Sequence, residues 1–293
     1  MFTWDVSPIL IQLGPVTIRY YGLLFVFTIL GGFHLWRWQM LRGGYDEELA
    51  ERFFWWGVIA VLVGARVGHV WFYEWDRFVR DPIYIIYIWR GGLASHGATI
   101  GLIIALVGFA KKYKIHVLEV FDRFSFSAAW GSFMVRIGNF FNSEIVGRET
   151  DVPWCVYFPR SVYDRSLPLD KVPCRHPSQL YETAMGILVL LTLVAIDRKL
   201  KEDRPRGLLA AVFLVMYFTF RFFVEFVKAY QTLDPNRSPL TMGQYLSIPF
   251  ILGGIGLLIW TLKNRPPTVG AAAAPRAKAA RGTKRGKTKR KKH

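Results

Sequence analysis

The sequence predicts an all-α polytopic membrane protein with seven transmembrane helices. Of the 293 residues, 52% are hydrophobic and 16% aromatic. Only 20% are charged, where a soluble domain has about 25%. Crossing the hydrocarbon core of a bilayer takes about 20 predominantly apolar residues. Seven stretches of that kind follow one another along the chain, at residues 19–38, 53–73, 93–110, 117–135, 179–197, 207–227 and 241–262.

The distribution of Lys and Arg between these stretches predicts their orientation. Seven crossings leave the two termini on opposite sides of the membrane. The loops on the side of the C-terminus, together with the C-terminal tail, carry 23 Lys and Arg, and the loops on the other side carry 10. Because Lys and Arg accumulate in cytoplasmic loops, the C-terminus is predicted to be cytoplasmic and the N-terminus to lie outside.

Much of the net charge of +17 comes from the C-terminal residues 263–293, which hold twelve Lys and Arg and no acidic residue. A basic segment rich in Ala, Gly and Pro buries too little apolar surface to fold, so this tail is predicted to be disordered. Its composition favours a position near anionic lipid headgroups over nucleic-acid binding, and no nucleic-acid partner is expected.

Residues 145–177 contain five prolines and are predicted to form a small extracytoplasmic cap, with a short strand near Val156. The two cysteines of the chain, Cys155 and Cys174, lie in this cap. They form either a disulfide or two buried thiols, and the sequence leaves both open. Two cysteines and the absence of an HExxH motif predict neither a metal site nor a cofactor.

The second apolar stretch contains Arg66 and His69, which are three residues apart on one helical face. Gly64 and Gly68 flank them at a spacing that allows close approach of another helix, which favours a structural polar pair. The aromatic segment 83–89 is too short to cross the bilayer, so it is predicted to be an interfacial or re-entrant arm.

Further ionisable residues inside the apolar stretches are costly and usually face a polar cavity. In the sixth stretch Tyr217, Arg221 and Glu225 share one helical face, since they are four residues apart. Arg221 and Glu225 form either a structural ion pair or a phosphate-binding site built on the planar guanidinium. His96, at the start of the third stretch, is either an acid or base or a hydrogen-bond donor to a neighbouring helix.

The densest polar segment is residues 136–148, with the sequence RIGNFFNSEIVGR, where an apolar helix ends abruptly. Placing these side chains at the edge of the hydrocarbon is expensive unless they bind something polar, and a phosphate-bearing headgroup fits their charge. The segment His176 to Glu182 opens the fifth stretch, with Ser178 as a predicted helix cap and Glu182 near the positive end of the helix.

Over residues 1–262 the chain resembles the bacterial phosphatidylglycerol–prolipoprotein diacylglyceryl transferase family. The segment 136–148 is similar to the family signature G-R-x-G-N-F-x-N-x-E-x-x-G, with Val135 in place of the first glycine. Four further segments carry the resemblance: YYG at 20–22, GLASHG at 92–97, HPSQLYE at 176–182 and RFFVEF at 221–226. The resemblance implies a membrane transferase domain over 1–262 that includes the cap.

The resemblance also implies the reaction. The family transfers diacylglycerol from phosphatidylglycerol to the lipobox cysteine of prolipoproteins, forms a thioether and releases glycerol phosphate, in the bacterial inner membrane and without a cofactor. The implied partners are therefore phosphatidylglycerol, lipobox peptides of prolipoproteins and membrane lipid. A transporter or a lipid-binding scaffold without transferase activity is the alternative, since intramembrane Arg and His also mark transport pathways.

Residue roles follow from the resemblance and the chemistry. A cysteine thiol, with a pKa of roughly 8.5, reacts as the thiolate, and His96 is predicted to be its base. Arg136 and Arg221 are predicted to stabilise the leaving phosphate, with Tyr21 completing the catalytic set. The residues predicted to bind phosphatidylglycerol are Arg136, Asn139, Glu144, Gly147, Glu182, Tyr217, Arg221 and Glu225.

Overall fold

The computed structural model describes residues 2–88, 91–230 and 238–267. The last helix ends at Asn264, so the predicted basic tail at 263–293 begins in its final turn. Residues 268–293 lie outside the described residues. The predicted disorder of that tail therefore stays a prediction.

The described residues form a mostly helical protein. Its helices are α1 (Tyr20–Arg42), α2 (Glu47–Tyr73), α3 (Trp75–Arg80), α4 (Ser95–Lys112), α5 (Val117–Phe141), α6 (Ser178–Leu200), α7 (Leu208–Val224) and α8 (Met242–Asn264). Apart from the short α3, each of them occupies one of the predicted apolar stretches. By length and composition three are suited to cross a membrane, namely α2, α6 with the turn that follows it, and α8. Helix α7 is apolar but shorter.

Helix α5 is the centre of the bundle and packs against α1, α6 and α7, while α2 packs against α4 and α7 against α8. The α2–α4 contact is backbone against backbone. A Cβ atom added to Gly97 would lie 2.1 Å from the carbonyl oxygen of Gly64 and 2.8 Å from Cα of Gly68. The close approach predicted from the glycine spacing in α2 is therefore confirmed.

Arg66 has the structural role that the sequence favours. It is buried, and its guanidinium donates hydrogen bonds to the carbonyl oxygens of Tyr84, Ile85 and Gly91, at 2.5 to 2.9 Å. The first two acceptors lie in the predicted arm at 83–89, where Pro82–Ile86 form a short 3₁₀ helix, and Gly91 follows the arm. A charged side chain of α2 thus fixes the arm.

At the end of α5 far from Arg136, Asp122 fixes the start of α7. Its buried carboxylate accepts hydrogen bonds from the backbone amides of Gly207 (2.6 Å) and Ala210 (2.8 Å). These amides lie at the N-terminus of α7, where a carboxylate satisfies amides that have no partner within the helix. The contact holds α7 against α5, and the two helices carry Arg221 and Arg136 near their other ends.

The all-α prediction omits two small sheets. In the cap, β1 (Phe2–Thr3) pairs in parallel with β4 (Val156–Tyr157), and β4 pairs antiparallel with β5 (Cys174–Arg175). The strand predicted near Val156 is therefore present. Cys155 and Cys174 form a disulfide beside this sheet, which decides between the two alternatives that the sequence leaves open.

The second sheet is a hairpin of β2 (Ile9–Leu13) and β3 (Val16–Arg19), which lies immediately before α1 and is not predicted from the sequence. The signal for it is present. Two runs rich in β-branched residues flank Gly14 and Pro15, and Gly14 has a φ of +58°, a conformation that glycine adopts without strain.

Candidate active site

Three helix ends meet around the carboxylate of Glu182. This residue lies in the first turns of α6 and is 8% exposed. Nε of Arg136, near the end of α5, lies 3.1 Å from Glu182 Oε2. Nη1 of Arg221, near the end of α7, lies 4.0 Å from Glu182 Oε1. The two arginines that the sequence singles out therefore share one carboxylate.

Lys228 is a third cation of this cluster, and the sequence reasoning missed it by counting it as a loop residue. It is 3% exposed, and its Nζ lies 2.8 Å from Glu225 Oε1 and 3.8 Å from Glu182 Oε1. The signal that could have found it is spacing, because Lys228 follows Arg221 by seven residues, or about two helical turns.

We call Arg136, Glu182, Arg221, Glu225 and Lys228 the charged cluster. It holds three cations and two carboxylates, so its formal charge is +1. Buried charges are tolerated when they are paired, and an excess of one cation leaves electrostatic demand for an anion. Two of the three cations are guanidinium groups, which offer paired donors to phosphate oxygens.

The sequence leaves open whether Arg221 and Glu225 form an ion pair, and no ion pair joins their side chains among the described residues. The close partner of the Glu225 carboxylate is Lys228, and its Oε2 also accepts a hydrogen bond of 3.0 Å from the hydroxyl of Thr241. Thr241 is the N-cap residue of α8. Glu225 directly follows the last residue of α7. Its carboxylate contacts Lys228 and Thr241, and not the guanidinium of Arg221.

These contacts lie within a region that matches one protein family. A model of the family described as prolipoprotein diacylglyceryl transferase matches residues 8–260. The chain belongs to the prolipoprotein diacylglyceryl transferase family. It is 38% identical to the phosphatidylglycerol–prolipoprotein diacylglyceryl transferase of Aeromonas salmonicida over 274 residues, which are 92% of this chain and 94% of that protein. It is 36% identical to the enzymes of the same name from Pseudoalteromonas atlantica and Nitrosospira multiformis, over 89% and 90% of this chain and 91% and 89% of theirs.

In this diacylglyceryl transferase family member, the signature segment forms the end of α5 and a tight loop. The amide of Glu144 donates to the carbonyl oxygen of Asn139 (2.9 Å), and Ser143 and Ile145 have positive φ angles of 52° and 56°. The backbone therefore reverses within a few residues. Burial raises the pKa of the Glu144 carboxyl above its usual range, and the amide of Asn142 opposes that shift by donating to the carboxylate.

Two polar side chains of α6 hold this loop. The Ser178 hydroxyl donates to the carbonyl oxygen of Ile145 and the Gln179 amide to that of Glu144, both at 2.7 Å. The predicted helix-cap role of Ser178 is therefore wrong, because its hydroxyl bonds the loop and makes no capping hydrogen bond. Since Glu182 lies on the same helix, the contacts that hold the loop also fix the loop relative to Glu182.

Gly147 is a packing residue at a three-way junction. A Cβ atom added to it would lie 2.4 Å from Cβ of His176 and 2.7 Å from the carbonyl oxygen of Val227. Its amide donates to the carbonyl oxygen of His176 at 2.9 Å, and it bridges to Lys228 through the backbone. Only a residue without a side chain fits here, so Gly147 allows the segment that carries Lys228 to approach the signature loop.

Tyr21 and Tyr217 lie beside the charged cluster. The ring of Tyr21 packs on Gly138, where an added Cβ would lie 2.9 Å from it, and its hydroxyl interacts electrostatically with Glu144 and Arg136. The Tyr217 hydroxyl interacts electrostatically with Arg136. Asn139 follows Gly138 in α5 and is 3% exposed.

His96 lies apart from this group in the first turn of α4, where it is exposed. In the described part of the chain, no hydrogen bond or ion pair joins it to the charged cluster. Its role as a base stays a prediction. Among the described residues there is also no group of three or more His, Cys, Asp or Glu suited to hold a metal ion.

Proposed function

We propose that this chain transfers the diacylglyceryl group of phosphatidylglycerol to the lipobox cysteine of a prolipoprotein. The observation that carries the proposal is the charged cluster, in which Arg136 and Arg221 face the same buried carboxylate, that of Glu182. The relatives are phosphatidylglycerol–prolipoprotein diacylglyceryl transferases by name, which supports both substrates. Family membership and the apolar helices support a membrane enzyme.

In the proposed reaction, the sulfur of the thiolate forms a bond to the glycerol carbon that carries the phosphate ester. The bond between that carbon and the ester oxygen breaks, and glycerol phosphate leaves with the electron pair. Negative charge grows on the phosphate as the bond breaks. Fixed donors aimed at such charge in a water-poor site supply a large share of catalysis. Arg136 and Arg221 have this role, and Lys228 attracts the anionic headgroup to the site.

The carboxylates hold the cations in place. Glu182 lies between the two arginines, so it keeps both guanidinium groups close together before lipid binds. Glu225 does the same for Lys228. Preorganisation of this kind lowers the reorganisation that the reaction needs. Tyr21, Asn139, Glu144 and Tyr217 bind the headgroup beside these charges, and Gly147 supports the site by allowing close packing of the signature loop.

His96 takes the proton of the thiol. In its exposed position in the first turn of α4 it is accessible to a peptide substrate. A thiol with its usual pKa of roughly 8.5 is mostly protonated at neutral pH, so a base raises the fraction that reacts.

The seven long helices each cross the bacterial inner membrane in this proposal, with the N-terminus and cap outside and the C-terminus in the cytoplasm. The Lys and Arg distribution supports that orientation. Residues 1–262 then form the transferase domain with its cap, followed by the basic tail.

Incubation of the purified chain with phosphatidylglycerol vesicles and a lipobox peptide tests the proposal. Mass spectrometry of the peptide is expected to show the added mass of diacylglycerol on cysteine, with glycerol phosphate released in equal amount. A peptide with Ser in place of its cysteine is the control and is expected to gain no mass. Lipid binding without a change in peptide mass would identify a scaffold and overturn the proposal.

A further inference from the structure

The hairpin formed by β2 and β3 has one apolar face, while Leu10, at the bulge of β2, is a further exposed apolar residue outside the paired positions. Ile11 pairs with Ile18 and Leu13 pairs with Val16 across the two strands, while Gln12 pairs with Thr17 between them. Because side chains alternate along a strand, the four apolar residues share one face, and Gln12 and Thr17 share the other.

All four side chains of the apolar face are exposed: 46% for Ile11, 61% for Leu13, 57% for Val16 and 38% for Ile18. No charged side chain interrupts this face. Contiguous exposed apolar surface marks a contact with a partner or with lipid. The apolar face of the hairpin is therefore expected to contact a partner or lipid.

The hairpin is held firmly at both ends. Before it, β1 joins the cap sheet, and Asp5 forms an ion pair with Arg160 at 2.7 Å. After it, Arg19 is followed directly by Tyr20, the first residue of α1, whose ring stacks on Phe141 at 4.7 Å between centroids. Phe141 ends α5, so the base of the hairpin rests on the helix end that carries Arg136.

We propose that this apolar face lies in the boundary between headgroups and acyl chains of the surrounding bilayer, beside the charged cluster. The first argument is continuity: α1 follows without a gap, and its exposed apolar side chains, such as Val26, Phe27 and Leu30, have the surface of a lipid-facing helix. The inference rests on the proposed crossing of the membrane by α1, and not on the transfer reaction.

The second argument sets the depth. In the part of the chain that the structure describes, this sheet has only two strands, so backbone groups along both outer edges lack partners within it. Such groups are too costly in the hydrocarbon core, whereas the hydrated headgroup region satisfies them. Gln12 and Thr17 then face water, and the adjacent Arg19 lies at the level of anionic phosphates.

Single introduced cysteines test this placement, because Cys155 and Cys174 are joined to each other and leave introduced thiols free for labelling. Leu13→Cys and Val16→Cys report on the apolar face. Gln12→Cys and Thr17→Cys are matched controls one residue away. Each full-length variant is labelled with an environment-sensitive fluorophore and reconstituted in vesicles of phosphatidylglycerol and phosphatidylcholine, part of which carries a nitroxide near the glycerol end of its acyl chains.

The lipid nitroxide is expected to quench the labels at 13 and 16 at least about threefold more than those at 12 and 17, and aqueous iodide to show the reverse order. Equal quenching on both faces, or strong iodide quenching at 13 and 16, would overturn the proposal. If a lipobox peptide shielded 13 and 16 from the lipid nitroxide, the face would be a peptide seat and the proposal would also fail. Because quenching is read without turnover, a failure of the transferase assay would leave this result standing on its own.

Discussion

Glu182 Oε2 lies 3.1 Å from Nε of Arg136, where the start of α6 meets the end of α5. The contact has the distance of an ion pair, and among the described residues no hydrogen bond satisfies the buried Oε2. The same carboxylate lies 4.0 Å from Arg221 and 3.8 Å from Lys228. One carboxylate therefore restrains three cations, and an incoming phosphate competes with it for them.

Replacing Glu182 with Gln is expected to destabilise the protein, because the buried Lys228 and the partly buried Arg136 and Arg221 then share only one carboxylate. Removing one partner of a buried ion pair costs about 3 kcal/mol or more. Thermal unfolding in detergent measures the loss. Glu149→Gln is the matched control, since Glu149 also pairs with an arginine, Arg175 at 3.3 Å, but its side chain is 68% exposed. Exposed pairs contribute at most about 1 kcal/mol. Equal shifts for both variants would contradict the restraining role of Glu182.

Replacing Arg136 or Arg221 with Lys is expected to lower the rate of transfer by about 10²–10³, even though the charge is kept. An ammonium group cannot present the paired donors with which a guanidinium binds phosphate oxygens. The rate is measured by mass spectrometry of a lipobox peptide. Arg160→Lys, at the exposed ion pair with Asp5, is the control and is expected to keep its activity. Retention of the full rate by both cluster variants would show that charge alone suffices.

Replacing Lys228 with Met is expected to weaken lipid use more than it slows turnover. The formal charge of the cluster falls from +1 to zero, so its attraction for an anionic headgroup weakens. We expect KM for phosphatidylglycerol to rise about tenfold, which corresponds to about 1.4 kcal/mol. Lys228→Arg keeps the charge and is expected to restore KM. A loss of kcat with unchanged KM would instead place Lys228 at the leaving group.

Sequence patterns predicted these residues unevenly. The helices are predicted because each apolar stretch is continuous in the sequence. The arginines are predicted because a charge within such a stretch is costly and can be recognised from the sequence alone. Lys228 was missed because it follows the end of α7, and its burial depends on the Gly147 backbone contact. The pairing of Glu225 with Lys228 depends on how the chain turns after α7, which helical spacing does not describe. The hairpin at 9–19 is harder to predict because β2 has the sequence ILIQL, in which apolar and polar residues do not alternate regularly.

Replacing His96 with Gln is expected to lower transfer at neutral pH by about 10²–10⁴, the usual contribution of a general base. Raising the pH toward the pKa of the thiol is expected to restore part of the rate, because more thiolate then forms without a base. His34→Gln, in the middle of α1, is the comparison variant. An unchanged rate at neutral pH would remove His96 as the base, and its exposed position on α4 would then need another explanation.

Reduction of the disulfide between Cys155 and Cys174 is expected to lower the free energy of unfolding by about 3 kcal/mol. The crosslink spans 19 positions of the chain, and closing a loop of that size restricts the unfolded state. It also joins the residue before β4 to the first residue of β5, next to Arg175, whose guanidinium binds the buried carboxylate of Asp164 at 2.7 Å. Thermal unfolding with and without a reductant measures the effect, after alkylation has verified complete reduction. The double variant Cys155→Ser/Cys174→Ser should unfold at the lower temperature under both conditions. If reduction left the unfolding temperature of the unmodified chain unchanged, the hydrogen bonds and ion pairs of the cap would suffice to hold it.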